Sequence, residues 1–193
     1  YCFCLHANET LNRLEHTPKL VIAALNGHTV GGGLEIAMAA DLRIAKKDSG
    51  KVGLPEINLG VLPGTGGTQR LARMVGKSKS IELMVTGGLI SFEEAKDLGC
   101  VNQIFEGDDF MDQIHAYARQ FCTPDKASKA VGRIKRSVQS GAEVPFESGR
   151  MSPYRRRRDT AARDRAAASL ASFVRPPSTG RGPTRSARRP STS

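Results

Sequence analysis

Two glutamates and a glycine turn are the residues of this chain best suited to chemistry. Gly31-Gly32-Gly33-Leu34-Glu35 places a carboxylate two residues past a triple glycine, and Glu56 follows 21 residues later in Leu54-Pro55-Glu56. Glycines let the backbone approach a ligand with no Cβ in the way. A helix beginning at such a turn points unpaired N–H groups at whatever is bound. Amide donors flanked by two carboxylates suit a reaction that passes through an oxyanion and moves protons. The pieces also have plainer readings: triple glycine as a tight turn, and Glu56 after Pro55 as a turn residue or cap. Glu35 is harder to explain away. Leu34, Ile36, Ala37, Met38, Ala39 and Ala40 surround it, and an ionised carboxylate in an apolar helix is costly without a partner or a task.

The elements that must position these groups can be read around them. Leu20 to Leu25 is a continuous apolar run of strand length ended by Asn26-Gly27, which reads as a buried strand. Gly31 to Gly33 is the turn, and Leu34 to Ala40 reads as a buried helix closed by Asp41. Leu42 to Ala45 alternates as a second strand, and Lys51 to Leu54 returns toward the first turn. Glu35 and Glu56 are too far apart to share a helix face, but a strand–helix–strand path brings distant segments together. Composition and spacing go no further.

The run from Pro18 to about Gly149 resembles the enoyl-CoA hydratase/isomerase (crotonase) superfamily. The resemblance is carried by Lys19 to Gly27, Gly31 to Asp41, Gly53 to Arg70 and Ala95-Lys96-Asp97-Leu98-Gly99-Cys100-Val101-Asn102. It implies an α/β fold with a ββα spiral core followed by helices, and an N-terminal part of the fold that is missing here. It implies binding of acyl-CoA thioesters with the carbonyl held between two backbone amides. One of these carries over to Gly32; the family's other amide lies in the N-terminal portion. Gly31, Gly33, Pro55 and Gly64 carry over as pocket-lining residues. In members that hydrate trans-2-enoyl-CoA, two glutamates handle water and protons, and their positions carry over to Glu35 and Glu56. Retention of both favours a hydratase, a lyase of fatty-acid (lipid) metabolism yielding 3-hydroxyacyl-CoA. Isomerase or another acyl-CoA activity is the alternative, as is an inactive, binding-only fragment with a basic tail. No cofactor is implied beyond the CoA that belongs to the substrate, and no metal. Relatives form homotrimers or hexamers through C-terminal helices.

The rest of the sequence bounds these expectations. Gly60 to Gly67 looks like a phosphate loop but lacks a following Lys-Ser/Thr, and the resemblance makes it a pocket wall near Glu56, leading into a helix from Thr68 to Val75. Ser91-Phe92-Glu93-Glu94 is a capping-box pattern for a helix through Leu98. Cys100 to Phe105 reads as a strand, and 110–122 and 126–138 as helices. Lys135 and Arg136 read as a solvated face in preference to a CoA phosphate contact, and His28 as structural in preference to pocket-lining. The four cysteines show no zinc spacing and indicate a reducing compartment. With no membrane-length apolar run, the expected setting is cytoplasmic.

Charge divides the chain. Residues 1–149 hold 17 Lys+Arg and 17 Asp+Glu, whereas 150–193 hold 12 Arg against Asp159 and Asp164, the whole of the +10 net charge. The expected organisation is a partial crotonase-type domain over 1–149 and an Arg/Pro/Ser-rich, disordered tail over 150–193. A tail rich in Arg, Pro and Ala without Lys, Ile or Asn matches an out-of-frame stretch of a GC-rich gene, favoured over an anion-binding segment. It matches no nucleic-acid module. A chain opening at Tyr1 with one of the two oxyanion amides is expected to be poorly active and poorly stable.

Overall fold

The computed structural model describes residues 2–143. The boundary expected at 149 and the tail over 150–193 lie outside the described residues. Helix α1 (Cys2–Glu15) leads to strands β1 (Ile22–Leu25) and β2 (Thr29–Val30), then helix α2 (Gly32–Ala39). A second pair of strands, β3 (Leu42–Lys46) and β4 (Lys51–Gly53), is followed by a 3-10 helix (Pro55–Leu59) and helices α3 (Gly67–Val75) and α4 (Lys77–Thr86). β5 (Ile90–Ser91), α5 (Phe92–Asp97), β6 (Gln103–Phe105), α6 (Phe110–Arg119) and α7 (Ser128–Glu143) complete the order.

Each strand–strand–helix turn adds one strand to each of two sheets. β1, β3 and β6 form one sheet in that order, all parallel, with Ile22 opposite Leu42 and Ile44 opposite Gln103. β2 pairs in parallel with β4, which pairs antiparallel with β5. Side chains of a strand alternate between faces, and here the two faces feed two cores. Leu25, Ala45, Ala23 and Ile104 pack with Leu34, Met38, Leu71 and Phe92, whereas Ile44, Ile22, Ala24 and Phe105 pack with Phe110 and Ile114. Apolar side chains on both faces are why the β1 run shows no polar alternation.

Short polar devices fix the helices on this frame. Ser91 Oγ accepts the Glu94 amide at 3.1 Å, the hydroxyl half of the expected capping box. The buried Arg43 guanidinium donates to the carbonyls of Ala40 (2.8 Å) and Cys100 (2.6 Å), closing the C-terminus of α2, where a cation suits the helix dipole. Burial pulls its pKa below the ordinary guanidinium value, partly offset by Cys100 and Asp41. Lys135 corrects the expectation of a solvated face. Its ammonium is buried, 2.8 Å from Asp41 Oδ2 and 3.0 Å from the Lys19 carbonyl. Asp41 Oδ2 also accepts the Val21 amide at 2.7 Å, so one carboxylate ties α7 to the start of the sheet. Arg136 is exposed as expected.

Several bounds differ from the sequence reading. The sequence ahead of Pro18 reads as a helix over Glu9 to Glu15, whereas α1 starts at Cys2; β6 covers only 103–105, α6 stops at Arg119, and α7 begins at Ser128 and runs on to Glu143. α4 is an element that the sequence reading did not include: Ile81, Met84 and Val85 stand at helical spacing, although Ile81 and Val85 are exposed.

Candidate active site

The glycine turn is a helix N-terminus. Gly31 is the N-cap of α2, and Gly32 and Gly33 are its first two residues. The Gly31 amide donates to the Gly53 carbonyl (2.9 Å), and its own carbonyl accepts from Leu34 and Glu35 (2.9 and 3.0 Å). The Gly32 and Gly33 amides have no acceptor among the described residues, as expected for the first turn of a helix. Gly31 alone of the three adopts positive φ, with φ 55° and ψ −130°. Nothing lies within 4 Å of where a Cβ would stand on Gly32 or Gly33. An apolar groove of about 370 Å³, lined among others by Leu14, Ala23, His28, Gly33 and Ile36, opens beside the turn. His28 is also structural, its Nδ1 accepting the Lys51 amide at 3.2 Å.

Glu35 lies in the first turn of α2, and Glu56 reaches the N-cap of that helix from another element. Glu35 is only 3% exposed. Its Oε1 accepts the amides of Thr65 and Gly67, each at 2.8 Å, and its Oε2 accepts the Thr65 hydroxyl. Every partner is a donor, which suits an ionised carboxylate and resolves the cost of a charge in an apolar helix. Glu56 comes from the 3-10 helix that Pro55 opens. Its Oε1 lies 3.2 Å from where a Cβ would stand on Gly31, and its Oε2 is buried with no partner among the described residues. Both Glu35 oxygens thus accept hydrogen bonds, with acceptor capacity left over, whereas Glu56 faces the N-cap through Oε1 and keeps a buried Oε2 without a partner among the described residues.

Thr65, Gly67 and the residues behind them were missed by the sequence reading. The loop Gly60 to Gly67 was read as a pocket wall beside Glu56. Its first residues do bond there, with the Val61 amide on the Glu56 carbonyl at 3.2 Å, but its far end cradles Glu35. Gly64 turns toward α1: its carbonyl accepts from Asn8 Nδ2 at 3.0 Å. A signal was available, because a buried glutamate requires donors and a Gly-Thr-Gly-Gly loop offers them. Among the described residues no group of three or more His, Cys, Asp and Glu gathers, and no helix is long and apolar enough to cross a membrane.

These features define a class: an α/β protein of ββα turns that presents helix N-terminal amides beside two carboxyls. Residues 2–176 match the family described as Enoyl-CoA hydratase/isomerase. The chain is 42% identical over 134 residues to a short-chain-enoyl-CoA hydratase of Clostridioides difficile, covering 69% of this chain and 84% of that one. A short-chain-enoyl-CoA hydratase of Clostridium acetobutylicum is 38% identical over 146 residues, 76% of this chain and 55% of the relative. The crystal structure of an enoyl-CoA hydratase from Bacillus anthracis superposes with a TM-score of 0.71 at 35% identity, covering 76% of this chain and 55% of that one. The chain therefore belongs to the enoyl-CoA hydratase/isomerase family, a family of enzymes acting on CoA thioesters. It spans about half the length of the last two relatives.

Proposed function

We propose that this chain carries the acid–base site of a trans-2-enoyl-CoA hydratase, with Glu35 and Glu56 as the catalytic pair and Gly32 as an oxyanion donor. Adding water across the α,β-double bond places negative charge on the thioester oxygen. A preorganised amide aimed at that oxygen lowers the barrier, and loss of one such donor costs about 2.7–4 kcal/mol. The Gly32 amide has no acceptor among the described residues and lies at a helix N-terminus, where the dipole favours developing negative charge. Glu35, surrounded by donors, orients and deprotonates the water. Glu56, whose Oε1 faces Gly31 and whose buried Oε2 has no partner among the described residues, delivers a proton to the α-carbon.

The observation that carries this reading is the buried Glu35, held by three donors of Thr65 and Gly67 and standing on the helix whose Gly32 amide has no acceptor among the described residues. The names of the relatives support the substrate class; retention of both glutamates supports hydration over isomerisation. The test is hydration of crotonyl-CoA, followed by loss of enoyl absorbance, in the wild type, Glu35→Gln and Glu56→Gln. Each substitution should lower the rate about 100-fold or more. A wild-type rate in either variant removes that residue from the pair.

A further inference from the structure

We infer that Glu15 and Arg70 are positioning residues for Glu35, and that α1 braces the loop that orients this carboxylate. The inference rests on the reading of Glu35 given above. Among the described residues Glu35 receives three hydrogen bonds, all from Thr65 and Gly67, so that loop sets the orientation of its carboxylate. The loop is in turn anchored at each of the peptide groups involved. The peptide joining Gly64 to Thr65 gives its N–H to Glu35 and its carbonyl to Asn8 Nδ2 (3.0 Å). The next carbonyl, of Thr65, accepts Arg70 Nη1 at 2.8 Å. The peptide joining Gly66 to Gly67 gives its N–H to Glu35, and its carbonyl accepts the Gln69 and Arg70 amides as α3 begins. No peptide group can rotate toward or away from Glu35 without breaking a second bond on its other side.

Arg70 joins this loop to α1. Its Nε and Nη2 bind the two Glu15 oxygens at 2.9 and 2.8 Å, and Nη2 also lies 3.4 Å from Asn12 Oδ1. The guanidinium side chain is 8% exposed and the Glu15 side chain 29%. Gly66 has φ +95°, and a Cβ there would overlap Arg70 Nη1. Asn8, Asn12 and Glu15 are spaced by four and three residues and so share one face of α1. All three partners of Arg70 need separate, fixed donors in one plane. Arginine supplies that fork; lysine, a point charge, does not. A structural ion pair alone would require no contact with Thr65, yet the third arm of the fork goes there.

The test uses the full 193-residue chain with Arg70→Lys, Glu15→Gln and, as a variant that leaves the buried charge intact, Asn8→Ala. Amide exchange by NMR should accelerate roughly tenfold or more at Thr65 and Gly67 in the first two and at Thr65 in the third, through the loosened hydrogen bonds. For crotonyl-CoA hydration, Arg70→Lys should lower kcat by up to about 100-fold, the scale of an ångström's misplacement, with KM nearly unchanged. Placed on Glu35→Gln, Arg70→Lys should add little further loss, because the group it positions is already disabled. Unchanged exchange at Thr65 and Gly67 in both Arg70→Lys and Glu15→Gln overturns the brace, whatever the rates. An Arg70→Lys loss that persists undiminished on Glu35→Gln overturns the route through Glu35. A wild-type chain that does not hydrate crotonyl-CoA overturns the reading of the site instead, and leaves the exchange result to decide the brace.

Discussion

Replacing Gly31 by alanine should damage the fold, whereas the same change two residues later should not. Gly31 has φ 55° and ψ −130°, a conformation that costs a residue with a Cβ about 1–3 kcal/mol. The added Cβ would also stand 3.2 Å from Glu56 Oε1, tighter than ordinary contact, and would push the carboxyl off the N-cap. Gly33 has helical backbone and open space around its Cα, so alanine there gains helix propensity, worth at most about 1 kcal/mol. For a chain near this size each kcal/mol moves Tm by ~2–4 °C. Gly31→Ala should therefore melt several degrees below the wild type by calorimetry, and Gly33→Ala at or slightly above it. Crotonyl-CoA hydration measured on the same samples should fall in Gly31→Ala even below its melting range, through the displaced Glu56. Equal melting temperatures for Gly31→Ala and the wild type, or a larger loss in Gly33→Ala, would refute the turn geometry and the placement of Glu56 against it.

Other consequences can be measured on the same chain. Lys135→Met should leave the buried Asp41 carboxylate without its cation and destabilise the fold by about 3–5 kcal/mol, read as a lower urea midpoint; an unchanged midpoint contradicts the tie between α7 and β1. Thr65→Val removes the hydroxyl on Glu35 Oε2 and should cost roughly 1–3 kcal/mol through the orphaned oxygen, with a fall in kcat; a neutral effect on both argues against the cradle. Ser91→Ala removes the α5 cap and should cost about 1 kcal/mol by urea denaturation. Burial pushes the Cys100 thiol above its ordinary value, a shift moderated by Arg43. The unfolded thiol therefore ionises first, near pH ~8.5, and stability should decline from there up to the raised value in the fold. Cys100→Ala should flatten that alkaline decline, and an identical pH profile in the variant would exclude Cys100 as its source.

Legibility in the sequence followed the range of the interactions. β1, α2 and β3 were readable because their apolar runs and the glycine turn are local signals, and the Ser91 cap likewise. Glu35 was readable as an anomaly, a charge where the helix had no use for one. Its donors were not, because Thr65 and Gly67 lie about thirty residues on and nothing in a glycine loop says which carboxylate it faces. Lys135 was misread for the same reason: its spacing on α7 is compatible with a solvated face, and only the return of α7 onto Lys19 and Asp41 buries it. Arg70 looked like the end of a motif. Its role depends on Glu15, 55 residues earlier, on a helix whose first turns the sequence did not reveal.

In the proposed site one thioester carbonyl would sit on the Gly32 amide with its acyl carbons between Glu35 and Glu56. A crystal structure of the chain with butyryl-CoA, which cannot be hydrated, tests it most directly. The carbonyl oxygen is expected about 2.7–3.1 Å from the Gly32 nitrogen, with the α-carbon facing Glu56 and the β-carbon toward Glu35. An acyl group bound elsewhere, or a carbonyl turned away from Gly32, would contradict it.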